Sequence, residues 1–290
     1  MKHFELVSYH GGHSGEFCLH AEDTLDDVIK AYILHGFTRI GITEHVPPPK
    51  DSFRYADEVD AGLDANALYQ RFETYCSRVR EYQAQYKDQL RIYLAFETES
   101  YTGYQAYTRD LVQTFSPDYI LGSVHHVRDI CFDYSPEDYQ RAVDACGGID
   151  NLYHDYFDLQ YEMITSLTPS VVAHFDLVRI HDSNYPDRLC LPEIQKKIKR
   201  NLALIKELDL ILDFNLRALT KGAKEPYISR PILDVVKEME IKIVPGDDSH
   251  GIKDIGTFIH QGIKILTDLG FSTQWPTPKP AIVPDLTTNK

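Results

Sequence analysis

The sequence predicts an α/β protein built as one β/α barrel, and three observations carry that expectation. Seven short apolar segments have strand character, amphipathic stretches of helical length separate most of them, and no linker-like stretch divides the chain. Alternation of this kind favours a parallel sheet with right-handed crossovers. A chain of 290 residues accommodates seven such units more readily than two small domains.

The candidate strands are His3 to Ser8, Arg39 to Thr43, Arg91 to Phe96, Asp118 to Val124, Ser170 to Ala173, Leu210 to Phe214 and Lys242 to Pro245. Each is apolar and bounded by polar or glycine punctuation. The first helical pattern, Leu25 to His35, carries apolar residues at 25, 28, 29, 32 and 33. Thr24 or Asp23 supplies an N-cap, and Gly36 stands where a helix ends. Asn66 to Gln89, Pro136 to Ala145, Asn151 to Leu167, Pro192 to Leu208, Arg230 to Glu240 and Asp254 to Leu269 read similarly. Pro192 and Pro231 fit first-turn positions, where a missing N–H costs nothing. Residues 1–275 thus form the expected barrel domain. Residues 276–290, with prolines at 276, 278, 280 and 284, form an extended tail that wraps it.

Composition narrows the function. Asp plus Glu number 44 against 30 Lys plus Arg, a net charge of -14 that repels nucleic-acid phosphates. The one basic run, Lys196 to Arg200, reads as the wet face of a helix. Five scattered cysteines without a C-x-x-C pair point to a reducing, cytoplasmic setting. The amino terminus lacks a signal pattern, and no apolar run approaches the ~20 residues that cross a bilayer. No membrane or nucleic-acid partner is expected, and homo-oligomerisation is left open.

The histidines are the informative residues. Seven of the 13, namely His10, His13, His20, His45, His125, His174 and His250, follow a candidate strand directly or lie in the loop leaving it. Active sites of barrels and open α/β sheets gather at that end. Seven imidazoles on one rim without a cation would leave ring nitrogens unpaired and would repel one another once protonated. Acids accompany them: Glu44 beside His45, Glu97 and Glu99 after the third strand, and Asp247 and Asp248 before His250. Imidazole and carboxylate without thiolate suit Zn, Mn or Fe, and so many donors imply two to three divalent ions. Paired ions clamp the attacking and leaving oxygens of a displacement at phosphorus.

The order H-G-G-H-S-G-E-F-C-L-H, T-E-H-V-P, F-E, S-V-H, H-F-D-L-V-R and D-S-H resembles the PHP (polymerase and histidinol phosphatase) superfamily, and within it the histidinol-phosphate phosphatases, from about His3 to about Leu269. The resemblance implies a distorted (β/α)7 barrel with a trinuclear metal centre at the carboxyl rim of its strands. Carried onto this chain, it implies a first ion held by His10, His13, Glu97 and Asp248, with Glu97 bridging to a second ion on His125 and His174. His20, His45 and His250 would hold a third. Glu97, Asp248 and His250 are accordingly the catalytic candidates. One departure stands out: the family begins H-x-H, whereas here Gly11 precedes His13 by two and His10 lies one position further back. Either a loop distortion at Gly11 and Gly12 delivers His10, or that ligand is lost.

The implied reaction is hydrolysis of a small phosphate monoester, L-histidinol phosphate in histidine biosynthesis, or alternatively another small phosphate ester or nucleotide. Arg179 and Arg217, with Asn215, are the substrate-binding candidates, since a guanidinium matches phosphate bidentately. Asp247 and His126 are the two candidates for protonating the leaving group. A degenerate, non-catalytic scaffold is the third reading, and the near-complete ligand set argues against it.

Other residues read as structural. His35 suits a helix C-terminus, and Glu44 and Glu99 read as supports for neighbouring rings. His3, His154, His181 and His260 have no motif around them, the Tyr153 to Tyr161 stretch reads as core, and Cys18 and Cys131 read as inert.

Overall fold

A computed structural model describes residues 4–281. Seven parallel strands form one sheet in the order β1 (Leu6–Gly12), β2 (Phe37–Ile42), β3 (Arg91–Glu97), β4 (Tyr119–Gly122), β7 (Val171–Val172), β8 (Ile211–Asn215) and β9 (Lys242–Gly246). The strands β5 (His126–Val127) and β6 (Ile130–Cys131) make a separate antiparallel hairpin beyond β4. Just past β9 the chain returns to β1. Asp248 N donates to His10 O (2.9 Å), Ser249 N to Gly11 O (3.1 Å) and His13 N to Ser249 O (2.8 Å), closing the barrel at its carboxyl rim.

All seven barrel strands fall where the sequence places them, but β1 runs on to Gly12. Its register on β2 explains the extension. Ser8 pairs with Ile40 and Gly12 with Ile42, so four steps along β1 match two along β2. This bulge breaks the in–out alternation. Tyr9 packs inside the barrel against Tyr93 and Tyr119 (centroids 5.8 and 6.2 Å), and His10, the next residue, also turns inward, onto Asp213 and Glu97. A Cβ on Gly11 would collide with the carbonyl oxygen of Gly41, so the bulge requires glycine.

The helices surround the sheet. Thr24 caps Leu25–Leu34 by accepting from Asp27 N, His35 is its C-cap, and Gly36 follows at φ +78°. In Ile149–Leu167, Tyr153, Tyr156 and Phe157 are buried as core. Lys197 and Arg200 of Pro192–Glu207 both pair with Asp158 of that helix, so the basic run serves packing. The helix Tyr104–Phe115 was not expected from the sequence: Gly103 offers it no capping side chain, and its buried stripe includes Thr108. The hairpin went unseen because its two-residue turn, Arg128-Asp129, adopts positive φ without glycine. Thr102 N and Oγ1, donating to Asp129, stabilise it. The last helix begins at Ile259 rather than Asp254, after Gly256 at φ +69°.

At the opposite end of the barrel, Trp275 Nε1 donates to Glu5 O and Arg39 Nη1 to Thr277 Oγ1, so residues 275–281 lie across the bottom. Residues 282–290 of the expected tail, including Pro284, and His3 lie outside the described residues. Among the described residues no helix is long and apolar enough to cross a membrane. All five cysteines are unpaired.

Candidate metal centre

Glu97, the last residue of β3, is 1 % exposed and occupies the middle of the rim. His10 Nε2 lies 3.1 Å from its Oε2, while His125 Nε2 and His174 Nε2 lie 3.2 and 3.0 Å from its Oε1. His13 Nε2 and His45 Nε2 are each 3.7 Å from Oε2. Asp248 supplies a second focus, with His250 Nε2 at 3.2 Å and His13 Nε2 at 3.4 Å. His20 stands at the exposed mouth, its ring centroid 4.8 Å from His250 and 5.4 Å from His45. All nine donors named from the sequence therefore reach one rim.

A further row of acids stands behind the rings. Asp213 Oδ2 accepts from His10 Nδ1 at 2.8 Å. Glu99 accepts from His45 Nδ1 (2.8 Å), His125 Nδ1 (3.2 Å) and Tyr55 Oη (2.6 Å). Glu44 Oε2 lies 3.4 Å from His13 Nδ1, while its Oε1 accepts from Ser14 N. An Nδ1–H held by a carboxylate leaves Nε2 with its lone pair aimed at the common centre. This polarity repeats on three strands and suits a cation.

The electrostatics agree. Burial alone would strip the proton from His10, but Asp248, Glu97 and Asp213 outweigh it and hold its pKa well above the ordinary value. His125 is raised in the same way, chiefly by Glu99 against burial. Burial would push Glu97 and Asp248 up, yet the imidazoles around them, His10 foremost, hold both well below the carboxylate range. The acids thus demand positive charge at the centre, which protons supply where a metal ion does not.

The fit to metal can be judged from the donors. His13 is fully buried, and neither of its ring nitrogens has a hydrogen-bond partner. The donor atoms of His10, His13 and Glu97 lie within 4.8 Å of one another, as do those of Glu97, His125 and His174. The second set holds the donors expected for one ion, and the first holds three of the four expected for another, without Asp248. The third expected set, His20, His45 and His250, is not drawn together as tightly. His13 instead groups with Asp248 and His250, and separately with Cys18 and His20.

The structure places two of the expected substrate contacts outside the lining of the cleft. Asn215 is fully buried and lies beneath the cleft, where its Nδ2 donates to Asp213 Oδ2 (3.0 Å) and Asp248 Oδ2 (3.1 Å). Arg179 is 5 % exposed and packs between Tyr185 and Tyr227 (4.7 and 4.5 Å to the ring centroids). It donates to Asp176 and to the carbonyls of Glu225 and Pro226 and does not line the cleft. The cationic side chains that do line it are Arg217 and Lys221. Asp247 also points elsewhere. Its carboxylate accepts from Ser8 Oγ, Tyr32 Oη and Gly256 N between barrel and helix, and burial first of all pushes its pKa to about 6. His126 Nδ1 sits 3.0 Å from Glu99, 4 % exposed and off the cleft lining.

The cleft above the rim has a volume of about 280 Å³ and is lined, besides the rim residues, by Tyr55, Asp133, Tyr134, Leu177, Arg217, Lys221 and Tyr227. Sequence reasoning missed Asp213, Asp133, Tyr134 and Lys221. Only Asp213 left a signal, an acid two residues before Asn215 and hence on the same strand face.

A family model described as PHP domain matches residues 10–217. A Schizosaccharomyces pombe protein named probable histidinol-phosphatase is 32 % identical over 271 residues, covering 92 % of this chain and 88 % of that protein. The crystal structure of HisK from Listeria monocytogenes superposes with a TM-score of 0.78 at 25 % identity, over 88 % of this chain and 99 % of that one. Histidinol phosphate phosphatase from Lactococcus lactis, solved with zinc, L-histidinol and phosphate, shares the fold with a TM-score of 0.73 at 18 % identity, over 96 % of this chain and 98 % of that one.

Proposed function

This chain belongs to the PHP domain family, and on that premise we propose that it is a metal-dependent phosphatase hydrolysing L-histidinol phosphate to L-histidinol and phosphate in histidine biosynthesis. The observation that carries the reading is the convergence of imidazole nitrogens and the Asp248 carboxylate around Glu97 at the floor of an open cleft.

His10, His13, Glu97 and Asp248 would hold one divalent ion, and Glu97 with His125 and His174 a second. His20, His45 and His250 would hold a third at the mouth. When bound, such ions supply a water that is deprotonated near neutral pH and offset charge on the phosphoryl oxygens.

The chain's own residues do the rest. Ser123 Oγ donates to Glu97 Oε1 at 2.7 Å and fixes the carboxylate between its histidines. Asn215 does the same for Asp248. Arg217, tethered through Nη1 to Asp254 Oδ2 at 2.7 Å, presents a preorganised cation to the phosphate. Its Nε is buried without a partner.

The test is purified protein, assayed for metal content and for phosphate release from histidinol phosphate and from nucleoside monophosphates. The expected result is metal-dependent release with kcat/KM for histidinol phosphate at least about a hundredfold above any nucleotide, some 2.7 kcal/mol of discrimination. A nucleotide preferred by a similar margin overturns the substrate assignment.

A further inference from the structure

One buried carboxylate stands behind two of the candidate ion sites at once. Glu99 is 2 % exposed and lies two residues beyond Glu97, at the end of β3. Its Oε1 accepts from His45 Nδ1 at 2.8 Å and from Tyr55 Oη at 2.6 Å. Its Oε2 lies 3.2 Å from His125 Nδ1 and 3.0 Å from His126 Nδ1. In the barrel β3 runs between β2 and β4, so Glu99 reaches a ring carried just past the strand on each side of it.

The far nitrogens of the same two rings turn to Glu97. His125 Nε2 is 3.2 Å from its Oε1 and His45 Nε2 3.7 Å from its Oε2, with the ring centroids 5.0 Å apart. The two imidazoles are therefore spanned between one carboxylate in front and one behind. Asp213, by contrast, braces a single ring, that of His10. We infer that Glu99 is a positioning residue coupling two ion sites, so that the ion on His125 and His174 and the ion on His20, His45 and His250 load and leave as a pair.

The physical reason lies in the shape of a carboxylate. It is planar, and its two oxygens turn together. The orientation that holds His45 Nδ1–H therefore also sets the oxygen that faces His125. A cation on one ring's Nε2 makes its Nδ1–H a stronger donor and fixes the carboxylate, so the second ring loses less freedom when it takes its own ion. Coupling of this kind is reciprocal. Two cations repel each other, and the charges of Glu97 and Glu99 on either side of the rings offset that repulsion. Tyr55, whose hydroxyl shares Oε1 with His45, holds the brace from the cleft side. Resting on the ion assignments proposed above, the coupling is still a separate property, since the same donors could fill independently.

The test dialyses zinc-loaded, full-length protein against buffers of graded free zinc and reads ions per chain by elemental analysis. In the wild type two ions are expected to leave in one steep step, with a Hill coefficient approaching about 2, and the ion on His10 and His13 in a step of its own. Glu99→Gln should split the shared step into two single losses, each shifted about 10- to 100-fold toward higher free zinc, and move the remaining ion by less than about threefold. Tyr55→Phe keeps the Glu99 carboxylate and should make the shared step shallower, with a shift below about tenfold. A shared step unchanged in Glu99→Gln, or a weakening confined to one ion, overturns the coupling. Two independent losses in the wild type overturn it as well. Should Glu99→Gln fail to fold, Tyr55→Phe decides, and a shared step of wild-type steepness in that variant overturns the coupling. A wild type that retains no zinc under any buffer sinks the metal-dependent reading itself, a result distinct from uncoupled ions.

Discussion

Asp213 Oδ2 and His10 Nδ1 are 2.8 Å apart in the barrel interior, with both side chains fully buried. Through this contact a residue of the eighth strand decides which nitrogen a residue of the first strand turns toward the rim. Asp213→Ala should weaken metal binding 10- to 100-fold, the range typical of carboxylates that orient ligating histidines. Elemental analysis and chelator competition would measure it. Full occupancy and unchanged affinity would separate Asp213 from the metal centre.

Glu97 faces both halves of the histidine cluster, so Glu97→Gln should lose bound metal and lower kcat by about a thousandfold or more, some 4 kcal/mol in barrier. A variant with near-wild-type turnover would show that Glu97 bridges nothing.

The bulge in β1 has its own test. Gly11→Ala sets a methyl group against the Gly41 carbonyl and should cost about 2–4 kcal/mol of unfolding free energy while displacing His10. Denaturant titration would reveal the loss. If the variant is as stable as wild type, the register described for β1 and β2 is wrong.

Arg179 and Arg217 should separate by phenotype. Arg179→Ala strands Asp176 and two loop carbonyls in a buried place and should cost about 3 kcal/mol in stability. Arg217→Ala should instead weaken inhibition by inorganic phosphate about tenfold. Phosphate binding lost at Arg179 with an unchanged melting temperature would return Arg179 to the substrate.

Glu58, close to the cleft mouth, has its carboxyl pushed up to about 7 from 4.5, first by burial and then by Asp57 and Glu99, against the opposing pull of Tyr55 N. The folded state therefore holds this proton more tightly than the unfolded chain does, and stability rises as pH falls from about 7 toward 4.5. Glu58→Gln should stabilise the protein at pH 8 by about 1–2 kcal/mol, a figure reduced because the side chain is partly exposed. It should also flatten this part of the stability curve. Parallel melting curves for the two proteins from pH 5 to 8 would remove Glu58 as the cause.

Seven strands, and the gathering of histidines and acids at one rim, were legible because each strand announces itself locally, by an apolar run and by the polar residues that follow it. The register of β1 was not legible. Whether His10 or Gly11 faces inward depends on how many residues the neighbouring strand sets against them, and no local pattern contains that number. Glu99 was legible as a support for neighbouring rings; it was not legible that those rings come from two other strands, nor that Tyr185, Tyr227 and the 225–226 carbonyls surround Arg179.

The seam between His10–His13 and Asp248–Ser249 ties the chemistry to the making of the molecule. The histidines come from the first barrel strand and their aspartate partner from just after the last, so they meet only when those two strands dock. The backbone that shuts the barrel also brings Asp248 to His10 and His13, so closing the barrel and assembling the candidate metal centre are one event.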